Sequence, residues 1–203
     1  MAREKITLYL DVDDTIIKSS ETIIEILNAK NNTHKTINDL SDWGYRSICP
    51  TLNFDTVNDI FASEEFFDRV EIDPEFQRFY KKHKRDFNFV FVSKGVPLNI
   101  KRKEKFLKKN FPRSRFISCP ITKEQNYDKS HIDMTNGIQI DDRFDCLVTT
   151  KANVKILYKR GRDYSWNEPT RTLENLYITN TWKEIVSILE FALKQPFFME
   201  TID

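Results

Sequence analysis

The chain has few of the residues that would point to several common protein classes. Its 203 residues include only three cysteines, four glycines and seven prolines, and 32 basic residues nearly balance 31 acidic ones. An odd number of cysteines without paired spacing gives no disulfide framework, so we expect free thiols in a reducing cytoplasm. The balanced charge creates no net field for nucleic acid or membrane. No apolar run is long enough to span a bilayer, and no signal peptide is visible.

Short apolar runs alternate with helical patterns along the chain. The runs typical of strands cover residues 6–10, 87–92, 115–118, 138–140, 154–157 and 176–178. Helical periodicity follows at residues 16–27, 97–111 and 182–193. This alternation predicts an α/β fold with a doubly wound parallel sheet and right-handed crossovers.

A long helical segment separates the first two predicted strands. Within residues 39–82, Phe54, Val57 and Phe61 recur at helical spacing. A connection of this length is usually functional, which favours a small helical cap over an ordinary packed hairpin. We therefore predict a catalytic core of residues 1–18 and 83–203 and a cap of residues 19–82. Ser19 or Ser20 could cap the first helix.

The predicted crossover helix at residues 97–111 is rich in charge. Ile100, Leu107 and Phe111 are expected to face the core. We interpret the basic run 101–105 as the solvated face of this helix, with attraction of a polyanion as the alternative.

Carboxylates follow two of the predicted strands. Asp11 and Asp13 come directly after the first strand, and Asp141 and Asp142 end a later one. The predicted strand 87–92, which lies between these two strands in the sequence, is followed by Ser93. Parallel strands end at one edge of the sheet, where adjacent acids are costly unless a cation or a proton lies between them. A hard cation such as Mg²⁺ takes oxygen ligands of this kind. The alternative is that Asp-rich turns merely end strands or cap helices.

The order Asp-x-Asp-x-Thr, Ser, Lys and Asp-Asp resembles the haloacid dehalogenase (HAD) superfamily of phosphotransferases. Residues 138–145 resemble the Ile-Asp-Asp-Arg-Pro-Asp segment of the 5'(3')-deoxyribonucleotidases, and Asp128-Lys129-Ser130 resembles their Asp-Lys-Thr. Residues 63–68 are similar to their Phe-Phe segment, and Trp43 falls near their Phe-Trp pair. The chain departs from the family at Asp14, where glycine is usual, and around residues 18–20, where an aromatic residue is expected.

The resemblance implies a role for each matching residue. Asp11 is expected to be the nucleophile and Asp13 the general acid and base, with the Asp13 carbonyl also binding Mg²⁺. Lys129 is expected to neutralise the phosphoryl group, with Lys123 as its rival. The metal site is expected to comprise Asp11, Asp13, Asp141 and Asp142, with the pattern favouring Asp142 over Asp141 as the direct ligand. Ser93 and Lys94 are implied for phosphate, and Trp43 and Phe67 for stacking on a base. Core packing is the alternative for both aromatic residues.

The resemblance further implies a Mg²⁺-dependent 5'-nucleotidase that acts on (deoxy)nucleoside monophosphates through an aspartyl-phosphate. A sugar phosphate or a polynucleotide 3'-phosphate is the alternative substrate, and a non-catalytic binding module is a third hypothesis. We expect a small nucleoside monophosphate as partner, no membrane association and no stable nucleic-acid complex. A homodimer is left open.

Overall fold

Six strands pair in parallel to form one sheet in the computed structural model, which describes residues 5–122 and 129–195. The strands are β1 (Thr7–Leu10), β2 (Asn88–Gly95), β3 (Arg115–Pro120), β4 (Gly137–Asp141), β5 (Val154–Tyr158) and β6 (Leu176–Thr179). Their order across the sheet is β3-β2-β1-β4-β5-β6. The predicted doubly wound parallel sheet is confirmed.

The central strands are covered on both faces. All five residues of β4 are buried, as are five consecutive residues of β2. Strands in such a position read as continuous apolar runs, which is why sequence patterns located them. In the register of the sheet, Leu10 of β1 lies beside Phe91 of β2 on one side and Ile140 of β4 on the other. Residues that follow Leu10 and Ile140 therefore emerge together at one edge.

Helices fill the connections between the strands. Between β1 and β2 lie α1 (Ser19–Asn31), α2 (Phe54–Phe61), α3 (Glu64–Arg69) and α4 (Pro74–His83). The later helices are α5 (Pro97–Asn110), α6 (Phe144–Val148) and α7 (Trp182–Lys194). The helices α5 and α7 agree with the predicted ones to within a residue at each end, whereas the short α6 was not anticipated.

The inserted segment leaves and rejoins the core at one place. The Lys18 amide donates to the Glu71 carbonyl at 2.9 Å, and the Asp73 amide donates to the Ile16 carbonyl at 2.8 Å. Ile17 and Ile72 form an antiparallel bridge between these bonds. The two ends of the insertion are thus tied together at residues 16–18 and 71–73.

The last helix before β2 packs on the core. The Phe76 ring of α4 lies 4.9 Å from the Trp182 ring, 5.2 Å from Phe111 and 6.1 Å from Phe91. The predicted cap of residues 19–82 included this helix, but its aromatic face joins it to the sheet and α7. The reason is that Phe76, Phe79 and Tyr80 form an apolar stripe that only the core can bury.

Two further sequence expectations concern the cysteines and membrane-spanning helices. Cys49, Cys119 and Cys146 carry thiols and form no disulfide, as predicted. Within residues 5–122 and 129–195, no helix combines the length and apolar character needed to cross a bilayer.

Candidate active site

Carboxylates converge where the connections of the sheet change direction. The chain turns one way from β1 to β2 and β3 and the other way to β4, so β1 and β4 are neighbours. In open α/β sheets a crevice opens beyond the strands at such a switch point. The Asp11 amide donates to the Ile140 carbonyl at 2.9 Å, which extends the β1–β4 pairing to the first motif residue. Carboxylate oxygens of Asp11, Asp141 and Asp142 lie within 4.8 Å of one another.

Lys129 lies between two of these carboxylates. It begins a short 3₁₀ turn, Lys129–His131, that precedes β4. Its Nζ donates to Asp11 Oδ1 at 2.5 Å and to Asp141 Oδ2 at 2.6 Å. The structure thus brings Lys129 to the place expected of it. Its rival Lys123 lies outside the described residues.

The two acids at the end of β4 have different surroundings. Asp141 is fully buried and also accepts hydrogen bonds from Gln139 Nε2 and from the Arg143 amide, both at 3.1 Å. Asp142 instead lines the cavity above the sheet edge. Asp141 is therefore a partner for Lys129, Asp142 faces the cavity, and carboxylate oxygens of both acids and of Asp11 lie close enough together to hold a metal ion.

The buried charges at this edge are unequal. Burial raises the pKa of Asp11 to about 7, although Lys129 opposes the shift. Burial and then the charge of Asp11 raise the pKa of Asp142 well above its usual range. Burial acts to lower the pKa of Lys129, but Asp11 and Asp141 hold it well above the usual value. Three carboxylates therefore face one ammonium, and the all-oxygen donor set fits a divalent cation such as Mg²⁺.

Asp13 has a lysine partner that sequence reasoning missed. Lys103 Nζ donates to Asp13 Oδ2 at 2.5 Å and to Ser93 Oγ at 2.7 Å. The Lys103 side chain is fully buried, with 0% exposure. The prediction that residues 101–105 form a solvated face is therefore wrong at Lys103. Helical spacing held the signal, because position 103 lies on the same stripe as Ile100 and Leu107, which were expected to face inward.

The serines at the start of α1 do not cap the helix. The N-cap residue is Lys18, and no side chain caps this end. Ser19 Oγ donates to Asp13 Oδ1 at 2.8 Å, and the Ser20 amide donates to Asp14 Oδ1 at 2.9 Å. Both serines thus hold motif carboxylates, because the turn after β1 brings these acids under the first turn of α1.

The departure at Asp14 has a structural explanation. Its backbone φ is 52°, in the left-handed region that glycine adopts most easily. Its Oδ1 accepts from Arg160 Nη1 at 2.9 Å, and Arg160 Nη2 donates to Glu21 Oε1 at 2.5 Å. Ser20, which also bonds Asp14, lies 2.9 Å from the Tyr45 hydroxyl. Burial raises the pKa of Asp14 and Arg160 opposes this. The side chain therefore ties the insertion to the loop after β5.

A cavity of about 470 Å³ opens above the carboxylates. Its lining includes the acidic and basic groups Asp11, Asp13, Lys94, Lys129, Asp142 and Arg143, together with Gly95 and Val96 at the end of β2. The wall across from them comes from the insertion and includes Trp43, Phe54, Val57, Asn58 and Phe61. The cavity thus has a charged floor and an aromatic, apolar wall.

Trp43 lies where the insertion meets the core. The Arg143 guanidinium lies over the Trp43 ring, 5.2 Å from its centroid. Arg143 is held by Asp145 through two hydrogen bonds, of 3.0 Å from Nε and 2.7 Å from Nη2. The Trp166 ring meets Trp43 edge to face at 5.9 Å. These contacts hold Trp43 at the cavity wall.

The remaining predicted site residues lie in different places. Lys94 is exposed and lines the cavity, whereas Ser93 is fully buried and accepts the bond from Lys103. Phe67 is not among the described residues that line the cavity. Its ring packs 5.1 Å from Phe66 and 5.9 Å from Phe106, because α3 turns this face towards α5. The expected stacking of Phe67 on a base is therefore replaced by packing between helices.

Comparisons with known proteins place this geometry among solved folds. The chain matches no protein-family model and no curated protein sequence. It is similar in structure to the HAD hydrolase YfnB of Bacillus subtilis, solved with magnesium bound, with a TM-score of 0.57 and 12% identity over 92% of this chain and 99% of that one.

Two further solved structures are similar over the same extent. A haloacid dehalogenase-like hydrolase of Streptococcus pneumoniae has a TM-score of 0.58 and 10% identity, over 91% of this chain and 98% of that one. A HAD-superfamily hydrolase of subfamily IA from Geobacter sulfurreducens has a TM-score of 0.57 and 9% identity, over 91% and 96%. With the parallel sheet and its acidic switch point, these matches show that the chain has the haloacid dehalogenase-like α/β fold.

Proposed function

We propose that the protein is a Mg²⁺-dependent phosphomonoesterase that works through an aspartyl-phosphate. One observation carries the proposal: Asp11, Asp13, Lys129 and Asp142 all line the floor of one cavity. A nucleophile, an acid and base, a fixed cation and a metal ligand are the parts that this reaction needs. A module that only bound phosphate would have no need of a second carboxylate for proton transfer.

The first step transfers the phosphoryl group to the protein. An Asp11 carboxylate oxygen attacks phosphorus, and the bond from phosphorus to the leaving oxygen breaks. Asp13 gives its proton to that leaving oxygen. The Lys129 ammonium, 2.5 Å from Asp11 Oδ1, neutralises negative charge as the new bond forms.

The second step releases phosphate. Asp13, now ionised, takes a proton from a water molecule that attacks the aspartyl-phosphate, and Asp11 leaves as a carboxylate. Asp11, Asp142 and the main-chain carbonyl of Asp13 would hold Mg²⁺. When bound, Mg²⁺ neutralises charge on the phosphate oxygens. The magnesium in the similar YfnB structure supports this choice of cation.

We further propose nucleoside monophosphates as the substrates. The cavity wall across from the carboxylates presents the Trp43 and Phe54 side chains, and Phe54 is 53% exposed despite its size. A flat heteroaromatic base can stack on such side chains through its π face, whereas a sugar ring has no π face for such stacking. Asn58 in the same wall offers an amide that can donate to or accept from a base edge. The volume of about 470 Å³ lies within the range of small-ligand sites.

A phosphate-release screen tests both levels of the proposal. We expect release from nucleoside monophosphates with Mg²⁺ to exceed release from sugar phosphates and from a 3'-phosphorylated oligonucleotide. Asp11→Asn protein, purified in the same way, controls for contaminating phosphatases. Preference for a sugar phosphate would refute the nucleotidase assignment but not the chemistry. Equal activity of Asp11→Asn and wild-type protein would refute the chemistry.

A further inference from the structure

A second buried lysine lies at the active site besides Lys129. Lys103 projects from α5, and its ammonium is shared between Asp13 Oδ2 and Ser93 Oγ. Neither the motif order nor the family resemblance assigns a function to this position. The Asp13 side chain is 14% exposed, so its contact with Lys103 is largely shielded from solvent.

We propose that Lys103 is a positioning residue that fixes the Asp13 carboxylate for proton transfer, an inference that rests on the proposed function. Both oxygens of Asp13 are held, Oδ2 by Lys103 and Oδ1 by Ser19. Two donors on opposite oxygens restrict rotation of the carboxylate about its χ2 bond. The group therefore remains aimed at the cavity that it lines.

The cost of burying an ammonium supports a role beyond packing. An unpaired charge in the interior is strongly unfavourable, and even a paired one is often no better for stability than an apolar side chain of similar volume. The neighbours of Lys103 on the buried face of α5, Asn99 and Leu107, carry no charge. The Lys103 charge instead reaches the one carboxylate that must exchange a proton twice in each turnover.

Lys103 also links Asp13 to Ser93, near the carboxyl end of β2. Ser93 is the residue expected to bind phosphate, and its hydroxyl oxygen lies 2.7 Å from Lys103 Nζ. In the first step the proton goes from Asp13 to the leaving oxygen as phosphorus bonds to Asp11, and in the second it returns from water. In this scheme Lys103 transfers no proton, and its side chain holds the Asp13 carboxylate in place between the two steps.

Leaving-group dependence tests this role in Lys103→Met protein. A nucleoside monophosphate releases an alkoxide that needs a proton, whereas p-nitrophenyl phosphate releases a phenolate that does not. We expect kcat for the nucleoside monophosphate to fall at least about 100-fold, the lower end for loss of general acid catalysis. With p-nitrophenyl phosphate we expect a rapid burst of about one p-nitrophenol per protein, at a rate within about tenfold of the wild-type burst. Slow turnover should follow, because attack by water on the aspartyl-phosphate still needs Asp13. Loss of the burst together with turnover would overturn the proposal.

Lys105→Met is the matched control, because Lys105 is exposed on the same helix. It should leave both substrates unaffected, and losses equal to those of Lys103→Met would overturn the proposal. A double-mutant cycle with Asp13→Asn covers the case in which Lys103→Met fails to fold. If Lys103 acts through Asp13, the double variant Asp13→Asn/Lys103→Met loses no more activity than Asp13→Asn alone. A further loss of activity in the double variant would overturn the proposal. Full activity of Asp11→Asn or Asp13→Asn would instead refute the proposed function itself.

Discussion

Asp13 and Asp14 are adjacent in the chain but have different partners. Asp13 is bound by Lys103 and Ser19 at the cavity, whereas Asp14 is bound by Arg160 and Ser20 beneath the insertion. The left-handed backbone at Asp14 turns its side chain away from that of Asp13. One carboxylate is thus available for chemistry, and the other holds the insertion in place.

At the residue scale, we expect Asp11→Asn to abolish turnover without unfolding the protein. An amide cannot attack phosphorus, so kcat should fall more than about 1,000-fold. Lys129 keeps its contact with Asp141 at 2.6 Å, so the substitution leaves no buried charge alone. Activity assays and circular dichroism check the two parts. Activity within about tenfold of wild type, or about 1.4 kcal/mol of barrier, would exclude Asp11 as the nucleophile.

We expect Arg160→Met to destabilise the fold. The change leaves Asp14 and Glu21 without their guanidinium partner, and breaking a buried pair costs about 3–5 kcal/mol. Because the Arg160 side chain is 16% exposed, we expect the lower end, about 3 kcal/mol. Urea denaturation measures the free energy of unfolding.

Arg85→Met provides the control for that measurement, since Arg85 is exposed. A surface substitution of this kind should change stability by no more than about 0.5 kcal/mol. If both variants lose the same amount, the network around Asp14 does not stabilise the insertion.

At the element scale, two helices supply opposite sides of the site. The helix α5 brings Lys103 into contact with Asp13 beneath the floor, and α2 brings Phe54, Val57 and Phe61 to the wall. Asn53 sets the start of α2 by accepting from the Thr56 amide at 2.8 Å. This cap satisfies one of the free amides at the start of α2, so the helix begins at Phe54, which lines the cavity.

We expect Trp43→Ala to reduce kcat/KM for nucleoside monophosphates. Removal of a base-stacking ring costs roughly 1–3 kcal/mol, and the loss should appear mainly in KM if the contact exists equally in the ground and transition states. Use of acetyl phosphate should change little, because that substrate has no aromatic ring to stack on Trp43. Steady-state kinetics with both substrates in each variant provide the measurement.

Phe67→Ala is the matched aromatic control. Because its ring packs on Phe66 and Phe106 away from the cavity, it should lower stability but leave the ratio of the two kcat/KM values unchanged. A Trp43 variant with the same ratio as the Phe67 variant would mean that Trp43 only packs.

At the scale of the whole molecule, the insertion and the core enclose the site between them. The insertion is joined to the core at residues 16–18 and 71–73, and the Asp14 network adds a second attachment. A ligand that fills the cavity contacts both parts, so its binding should stabilise the whole fold. Mass action gives about 2.7 kcal/mol at a ligand concentration 100 times Kd.

We therefore expect Mg²⁺ with beryllofluoride to raise Tm by about 5–10 °C in the wild-type protein. Beryllofluoride mimics a phosphoryl group on Asp11, so the shift should vanish in Asp11→Asn protein. Excess chelator should remove both the shift and the phosphatase activity. Full activity in chelator would contradict the metal site, and an undiminished shift in Asp11→Asn would show that the anion binds elsewhere.

Much of the architecture could be predicted because its signals are local. Buried strands such as β2 are continuous apolar runs, and α7 is preceded by its N-cap Thr181, whose side chain accepts from the Glu184 amide. Asp11, Asp141 and Asp142 follow directly from strand ends, since a parallel sheet brings those ends to one edge. Strand order was not accessible in this way, because hydrogen bonding between β1 and β4 joins segments more than a hundred residues apart.

The sequence by itself determined the type of fold and the acidic edge, because each depends on the order of residues along one segment, and it predicted a class of chemistry for that edge. Tertiary structure decided the partners of the charged groups. Lys103 looked like one of several solvated lysines, and only the packing of α5 against β2 buries it beside Asp13 and Ser93. Phe67 and Trp43 were both predicted to stack on a base, but α3 directs Phe67 towards Phe106 of α5, whereas Trp43 lines the cavity. Helical spacing places Lys103 on the inward stripe of α5, but the partners that it meets there depend on how the elements pack, and no local pattern encodes those partners.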